Sequence, residues 1–232
     1  MRIPLRSTRE GFTRRDLILV LVCLLGVSCA IAPIFQKASQ KSRRTACINN
    51  LKEMATGMQM YLHDSEDRFP WVIATKDGGS EGLPDVARHF LTLTGYISSP
   101  KVVSCPGLIR HRPPVQAWAM LKEKNVGYGI GLDTRVVMQM ETARDFVGGQ
   151  ALLLTDMDIE GGEDTICART QTPARTYGWF EGFSSCPLAG WSKTNHVRVG
   201  NASLVDGTTV TLDDQGLRRQ LSLGGSHFLM PK

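Results

Sequence analysis

From Leu17 to Phe35 the chain is apolar at nearly every position (LILVLVCLLGVSCAIAPIF) and carries no charge. Nineteen residues make roughly 28 Å of α-helix, close to the hydrocarbon thickness of a bilayer. Beyond Ser39 the pattern changes. Ile48, Leu51, Met54, Met58, Tyr61 and Leu62 recur at helical spacing, and no proline intervenes before Pro70. That pattern predicts one helix from about Leu17 to Leu62, apolar all round in its first half and amphipathic in its second. The amphipathic stripe is read as core packing.

Downstream the period shortens. Trp71–Pro84, with Gly78, Gly79 and Gly82, reads as a loop, and Val86–Leu93 as a short helix. Val126–Ile130 and Ala151–Thr155 read as strands bounded by Gly and Asp. Val197 and Val199, then Ala202 and Leu204, alternate within their own stretches, and Gly200-Asn201 is expected to shift the register between them as a turn or bulge. Asp206-Gly207 then predicts a two-residue type I′ hairpin turn, with Thr208–Leu212 as the return strand. Ile159–Lys193 has little periodicity and is expected to be an exposed loop region. Its aromatics Trp179, Phe180, Phe183 and Trp191 either cover the sheet or form a partner-binding surface. These elements make an α+β architecture: a long N-terminal helix packed on an antiparallel sheet of about four strands.

Charge sharpens this picture by its location. The 232 residues carry a net +5, yet residues 1–44 hold nine Lys and Arg against Glu10 and Asp16, leaving the remainder at −2. The basicity flanks the apolar run, where it attracts anionic headgroups. No basic stripe interleaved with aromatics occurs in the head, so a nucleic-acid partner is not expected. Five Arg precede the span and four basic residues follow it, a slight excess that favours a cytoplasmic N-terminus.

The junction Gly11-Phe12-Thr13-Arg14-Arg15-Asp16 runs straight into the apolar segment. A short basic leader, Gly-Phe-Thr and an acidic residue at the head of a membrane-length helix resemble the type IV prepilin processing motif. The resemblance implies cleavage after Gly11 and methylation of Phe12. It gives Asp16 the acidic position that pairs with a neighbouring subunit's N-terminus, and Pro33 the place of a helix kink. Arg14 and Arg15 depart from the family, whose members are apolar there; they could neutralise Asp16 or reach the headgroups. Two other readings of the same residues stand beside this one. Thr13–Leu17 also matches a twin-arginine export signal, where Pro33 after Ala30-Ile31-Ala32 would leave an uncleaved anchor. Cys29 is the candidate lipidated residue of a lipoprotein signal, with Gly26 where a Leu-like residue belongs.

The phrase Cys47-Ile48-Asn49-Asn50-Leu51-Lys52, followed by a Tyr and Arg68-Phe69-Pro70, resembles the post-membrane helix of a pilin-like family of planctomycete and verrucomicrobial bacteria. Members carry a C-terminal His-x9-Asp-Gly motif, and here His196 precedes Asp206-Gly207 by nine residues. The motif is read as structural, with His196 steadying the turn. A metal site of His196 and Asp206 with Asp213 or Asp214 is set aside for want of ligands. A Ser203, His196 and Asp206 triad lacks any nucleophile context. Among the six cysteines, Cys23 and Cys29 fall in the span, while Cys47, Cys105, Cys167 and Cys186 would lie where disulfides persist. The resemblance, through Ser104-Cys105-Pro106, implies Cys47–Cys105, and Cys167–Cys186 then remains. No Cys-x-x-Cys is present, so zinc is not expected.

The sequence therefore divides into a basic leader (1–11), a transmembrane helix half (12–35), an amphipathic half (36–63) and a head (64–232) with its loop region (159–193). The resemblance implies a single-pass inner-membrane subunit, pilin-like or pseudopilin-like, with a periplasmic or filament-borne head. Its partners would be a prepilin peptidase, other pilin-like subunits and inner-membrane lipid. The head is expected to work by contact and not by catalysis, without a cofactor; calcium is the one ion the resemblance to pseudopilins leaves open. The alternative is an exported enzyme or binding protein on an uncleaved twin-arginine anchor.

Overall fold

The computed structural model describes residues 14–108, 111–132, 151–157, 159–160, 176–180, 190–191, 199–223 and 226–229, with the backbone alone at 30, 32–34, 36, 160, 176–180, 221–223 and 226–229. Gly11, Phe12, Phe183, Cys167, Cys186 and His196 lie outside the described residues, as do the side chains of Pro33, Trp179 and Phe180. The α+β class holds. Helix α1, Arg14–Asp64, is a single element of 51 residues. Helix α2 is Val86–Leu91 and helix α3 is Asp214–Leu223. The strands are β1 (Tyr128–Gly131), β2 (Leu152–Asp156), β3 (Ile159–Glu160), β4 (Thr176–Phe180), β5 (Gly190–Trp191), β6 (Val199–Leu204), β7 (Thr209–Asp213) and β8 (Ser226–Leu229). The chain separates into two compact units between Ser42 and Arg43.

In the first unit the described apolar side chains of α1 are open. Leu17, Ile18, Leu19, Leu21, Val22, Leu24, Leu25 and Phe35 all stay more than half exposed. Among the described residues no helix is long and apolar enough to cross a membrane. Residues 30, 32–34 and 36 fall inside the expected span or beside it, and their side chains are not among those described.

In the second unit the last five turns of α1 bury one face. Cys47, Leu51, Met54, Ala55, Met58, Tyr61 and Leu62 form the spine of the main core. The spacing is the predicted one, but Cys47, not Ile48, opens it, since Ile48 is only half-buried. Each fully buried Leu or Met on this face contributes roughly 1.5–3 kcal/mol. The helix ends where Ser65 and Asp67 donate to Leu62 O and where Glu66 and Asp67 take left-handed backbone, φ 54° and 55°. Gly57 sits where a turn of chain crosses α1: a Cβ there would lie 2.8 Å from Ile97 Cγ1 and 3.0 Å from Tyr96 O.

The main sheet has six strands among the described residues, ordered β4-β8-β1-β2-β6-β7, every neighbouring pair antiparallel. The expectation of about four strands missed β4 and β8, which pair with each other at one edge. One face of the sheet joins the α1 core through Tyr128, Ile130 and Leu154. The other face, with Leu152, Ala202 and Leu204, packs on Leu217 of α3 and Trp191 of β5. Trp191 thus covers the sheet, which meets the plainer reading for that one residue of the aromatic region.

Two expectations about the C-terminal hairpin are corrected. Strand β6 runs in unbroken register with β7 from Val199↔Asp213 to Ser203↔Thr209, so Gly200-Asn201 makes neither turn nor bulge there. The irregularity lies in β2, between Leu152 and Leu154. Gly200 is small for a different reason: a Cβ would stand 2.2 Å from the Trp191 ring. The turn is a three-residue loop, not type I′. Gly207 N donates to Leu204 O, Leu204 N donates to Thr208 O, and only Gly207 has positive φ, 85°. This is a type I turn closed by a left-handed glycine, which needs one glycine where type I′ needs two permissive residues.

Candidate functional site

The sheet register assembles a row of polar residues beneath α1. Tyr128 of β1 faces Asp156 of β2, and Asn201 of β6 faces Thr211 of β7. The Thr155↔Ala202 pairing brings Asp156 beside Asn201. Antiparallel partners share a face, so one row across four strands presents phenol, carboxylate, amide and hydroxyl on the same side. Tyr128, Asp156 and Asn201 are all buried.

The row is wired in one direction. Thr211 Oγ1 donates to Asn201 Oδ1 at 2.9 Å, which turns the amide so that Nδ2 donates to Asp156 Oδ2 at 2.9 Å. Asn201 N donates to the same oxygen at 2.9 Å. One carboxylate oxygen is thereby fixed by two bonds from a single residue. From above, α1 contributes Cys47, and the segment after the 3₁₀ turn Pro100–Val103 contributes Cys105. Both are fully buried, and one ligand atom from each of Cys47, Cys105 and Asp156 lies within 4.8 Å of the others. Asn50 Nδ2 donates to Ser104 O at 3.2 Å, tying α1 to that segment. On its far side Gly127 backs Cys105 so closely that a Cβ would meet Cys105 N at 2.5 Å.

Both sulfurs are thiols in this structure, and they are hydrogen-bonded to each other. That bond, then burial, then the neighbouring Cys105 and Asp156 charges push the Cys47 thiol far up, so it carries its proton. Burial, with Cys105, Cys47 and Asp156 adding to it, also raises the Tyr128 phenol, while Asn50 opposes the rise. Cys47 and Cys105, for which the resemblance implied a disulfide, are thus neighbours but form no disulfide with each other in this structure. Asp156, Asn201 and Tyr128 were missed. An Asp at the end of ALLLTD looks like a strand terminus, and only the register reveals that it is covered.

The remaining candidates do local work. Asp206 Oδ1 accepts Thr208 N at 2.8 Å and so holds the turn around Gly207. Asp213 Oδ1 accepts Gly216 N at 2.7 Å at the start of α3, and Asp214 Oδ1 accepts Trp191 N at 2.7 Å. Asp16 is exposed in the first turn of α1, where a carboxylate complements the helix dipole.

A second buried polar group, also missed, lies under the loop before α2. His89 Nδ1 and Ser80 Oγ are 2.7 Å apart, and His89 Nε2 is 3.1 Å from Leu83 O. A carbonyl can only accept, so Nε2 carries the proton and Nδ1 accepts from the Ser80 hydroxyl. Burial lowers the imidazole to about 4. Ser80 is fully buried, so the pair is a loop clasp and not an exposed nucleophile. Arg112, also buried, donates through Nη1 to Glu123 O and Val126 O, both at 3.0 Å, and staples the loop that leads into β1.

Residues 36–95 are similar to a family described as "Protein of unknown function (DUF1559)". No curated protein and no solved structure matches the chain.

Proposed function

We propose that this chain is a membrane-inserted pilin-like or pseudopilin-like subunit, processed by a prepilin peptidase and serving a surface filament or a type II secretion pseudopilus. One observation carries the reading. A single helix buries one face in the head over its last turns, while its first half leaves large apolar side chains exposed. Exposed surface of that size and composition needs a cover, and acyl chains or the same helix from neighbouring subunits supply it. The uncharged run Leu17–Phe35 has the length for the first. The family match on residues 36–95 falls on the post-membrane helix and the Arg-Phe-Pro turn that carry the pilin-like resemblance.

In this reading the N-terminus is cytoplasmic, the chain crosses the inner membrane once, and the head is periplasmic or filament-borne. Gly11 and Phe12 flank the cut, and Asp16 sets axial register against the next subunit. The head acts through contact with other subunits, and neither catalysis nor nucleic acid enters its work. The His196, Asp206 and Gly207 motif serves the fold, since Asp206 holds the turn in which Gly207 takes positive φ.

Peptide mass spectrometry on native, membrane-extracted protein tests the proposal. The expected N-terminal peptide begins at Phe12 and carries one methyl group. A native chain that retains residues 1–11, from cells with an active prepilin peptidase, overturns the assignment and leaves an anchored exported protein.

A further inference from the structure

The structure assigns Cys47, Cys105 and Asp156 as a buried three-ligand site for a thiophilic divalent cation of the Zn²⁺ type. Two sulfurs and a carboxylate within 4.8 Å of one another suit a small tetrahedral ion, which takes Cys sulfur at about 2.3 Å and carboxylate oxygen at about 2.0–2.2 Å. Hard cations such as Ca²⁺ want six or more oxygens and have no use for the sulfurs.

The surroundings have the form of a metal site. Metal-bound carboxylates are themselves hydrogen-bonded, which fixes the direction of the ligating oxygen. Here Asn201 holds Asp156 Oδ2 through its backbone and side-chain nitrogens, and Thr211 orients Asn201. The three ligands come from α1, the 3₁₀-linked segment at 105 and strand β2, so one ion would join three parts of the head that are far apart along the chain. The Tyr128 phenol, fully buried against the same three groups, closes the site from β1. Binding would exchange the two thiol protons for the cation: two R–SH and M²⁺ give M(SR)₂ and two H⁺.

The alternative use of the sulfurs is a bond between them. That would bind α1 to the segment at 105 but give Asp156 no part, whereas a shared cation uses all three groups and the outer layer behind them. The inference rests on this geometry and not on the membrane reading.

The test uses the full-length chain extracted from its native membrane, and the reduced chain titrated with Co²⁺ as a spectroscopic stand-in. Expected are about one equivalent of Zn²⁺ in the native protein, both thiols alkylated only after chelation, and a sulfur-to-cobalt charge-transfer band on titration. Cys105→Ser should abolish the band, and Asn201→Ala, which keeps all three ligands, should weaken binding roughly 10–100-fold. Native protein without metal and lighter by two hydrogens, its thiols alkylated only after reduction, would show a disulfide and overturn the proposal. So would a reduced, folded wild-type chain that gives no charge-transfer band, an outcome that does not depend on any variant folding.

Discussion

The two halves of α1 share one backbone conformation and differ in everything that stabilises it. From Cys47 to Leu62 most apolar residues fall on one face and are buried by the head, while Met60 stays exposed. From Leu17 to Phe35 apolar residues leave no polar face, and the described ones are open. A helix of the first kind is held by tertiary packing, which is where most helical stability in globular proteins originates. A helix of the second kind is held by its own backbone bonds and by whatever medium surrounds it. A spanning helix satisfies all its backbone groups internally and so tolerates hydrocarbon. The contrast predicts that identical substitutions will act differently in the two halves.

The largest expected difference is between Leu51→Ala and Leu21→Ala. Leu51 is fully buried in the core, so truncation should cost the head about 2–5 kcal/mol. Leu21 is 51% exposed, and its truncation should leave the head's unfolding transition where it was. Chemical denaturation in detergent, followed by near-UV circular dichroism, reads both. Equal losses would mean that the first half also packs on the head. The converse substitution is Leu24→Arg, which should disfavour membrane insertion by about 2.5–3.5 kcal/mol and lower recovery in the membrane fraction without moving that transition.

Acid should separate the halves next. Burial holds His89 near 4, while an unfolded imidazole titrates near 6.5. Above about pH 6.5 both states are neutral and the clasp contributes in full. As pH falls from 6.5 towards 4 the unfolded chain takes the proton first, and roughly 3 kcal/mol of head stability is lost. Below pH 4 this group adds no further loss. His89→Gln should flatten that part of the pH–stability curve, measured by denaturation at fixed ionic strength. The helicity of the first half, which lacks histidine between Arg14 and Ser42, should be indifferent to the same pH change. A wild-type curve flat between pH 6.5 and 4 would show that His89 is not buried neutral.

How much of this was legible in the sequence follows from the range of the forces involved. The helix, its change of character near residue 40 and the strands around Ile130 and Leu154 come from local periodicity, which the chain writes on itself. The pairing of β4 with β8 does not, because it joins residues about 50 apart and neither segment alternates cleanly. Gly200 was read as a turn or bulge since a strand glycine usually marks one. Its actual cause is the Trp191 ring, contributed by another element. Asp206-Gly207 was placed correctly as a turn, but its type depends on whether Asp206 takes positive φ, which its neighbours decide. Cys47 and Cys105 were found by a family resemblance. Asp156, His89 and Arg112 look like ordinary surface residues until the fold covers them.

The smallest contrast is also the most specific. Gly26 and Gly57 both interrupt α1, and on intrinsic propensity each should gain close to 1 kcal/mol on replacement by alanine. At Gly26 a new methyl group meets nothing within 4 Å. At Gly57 it meets Ile97 Cγ1 at 2.8 Å, which can move, and Tyr96 O at 3.0 Å, which is backbone and cannot move without its turn. Overpacking of this kind costs about 1–3 kcal/mol, enough to outweigh the propensity gain. Gly57→Ala should therefore destabilise the head although it improves the helix, and Gly26→Ala should leave the head transition unmoved. A stabilising Gly57→Ala would mean that the Leu93–Ile97 turn does not press on α1. A destabilising Gly26→Ala in isolated protein would mean that the first half has a partner within its own chain, and the exposure that supports a membrane or inter-subunit cover would have to be explained again.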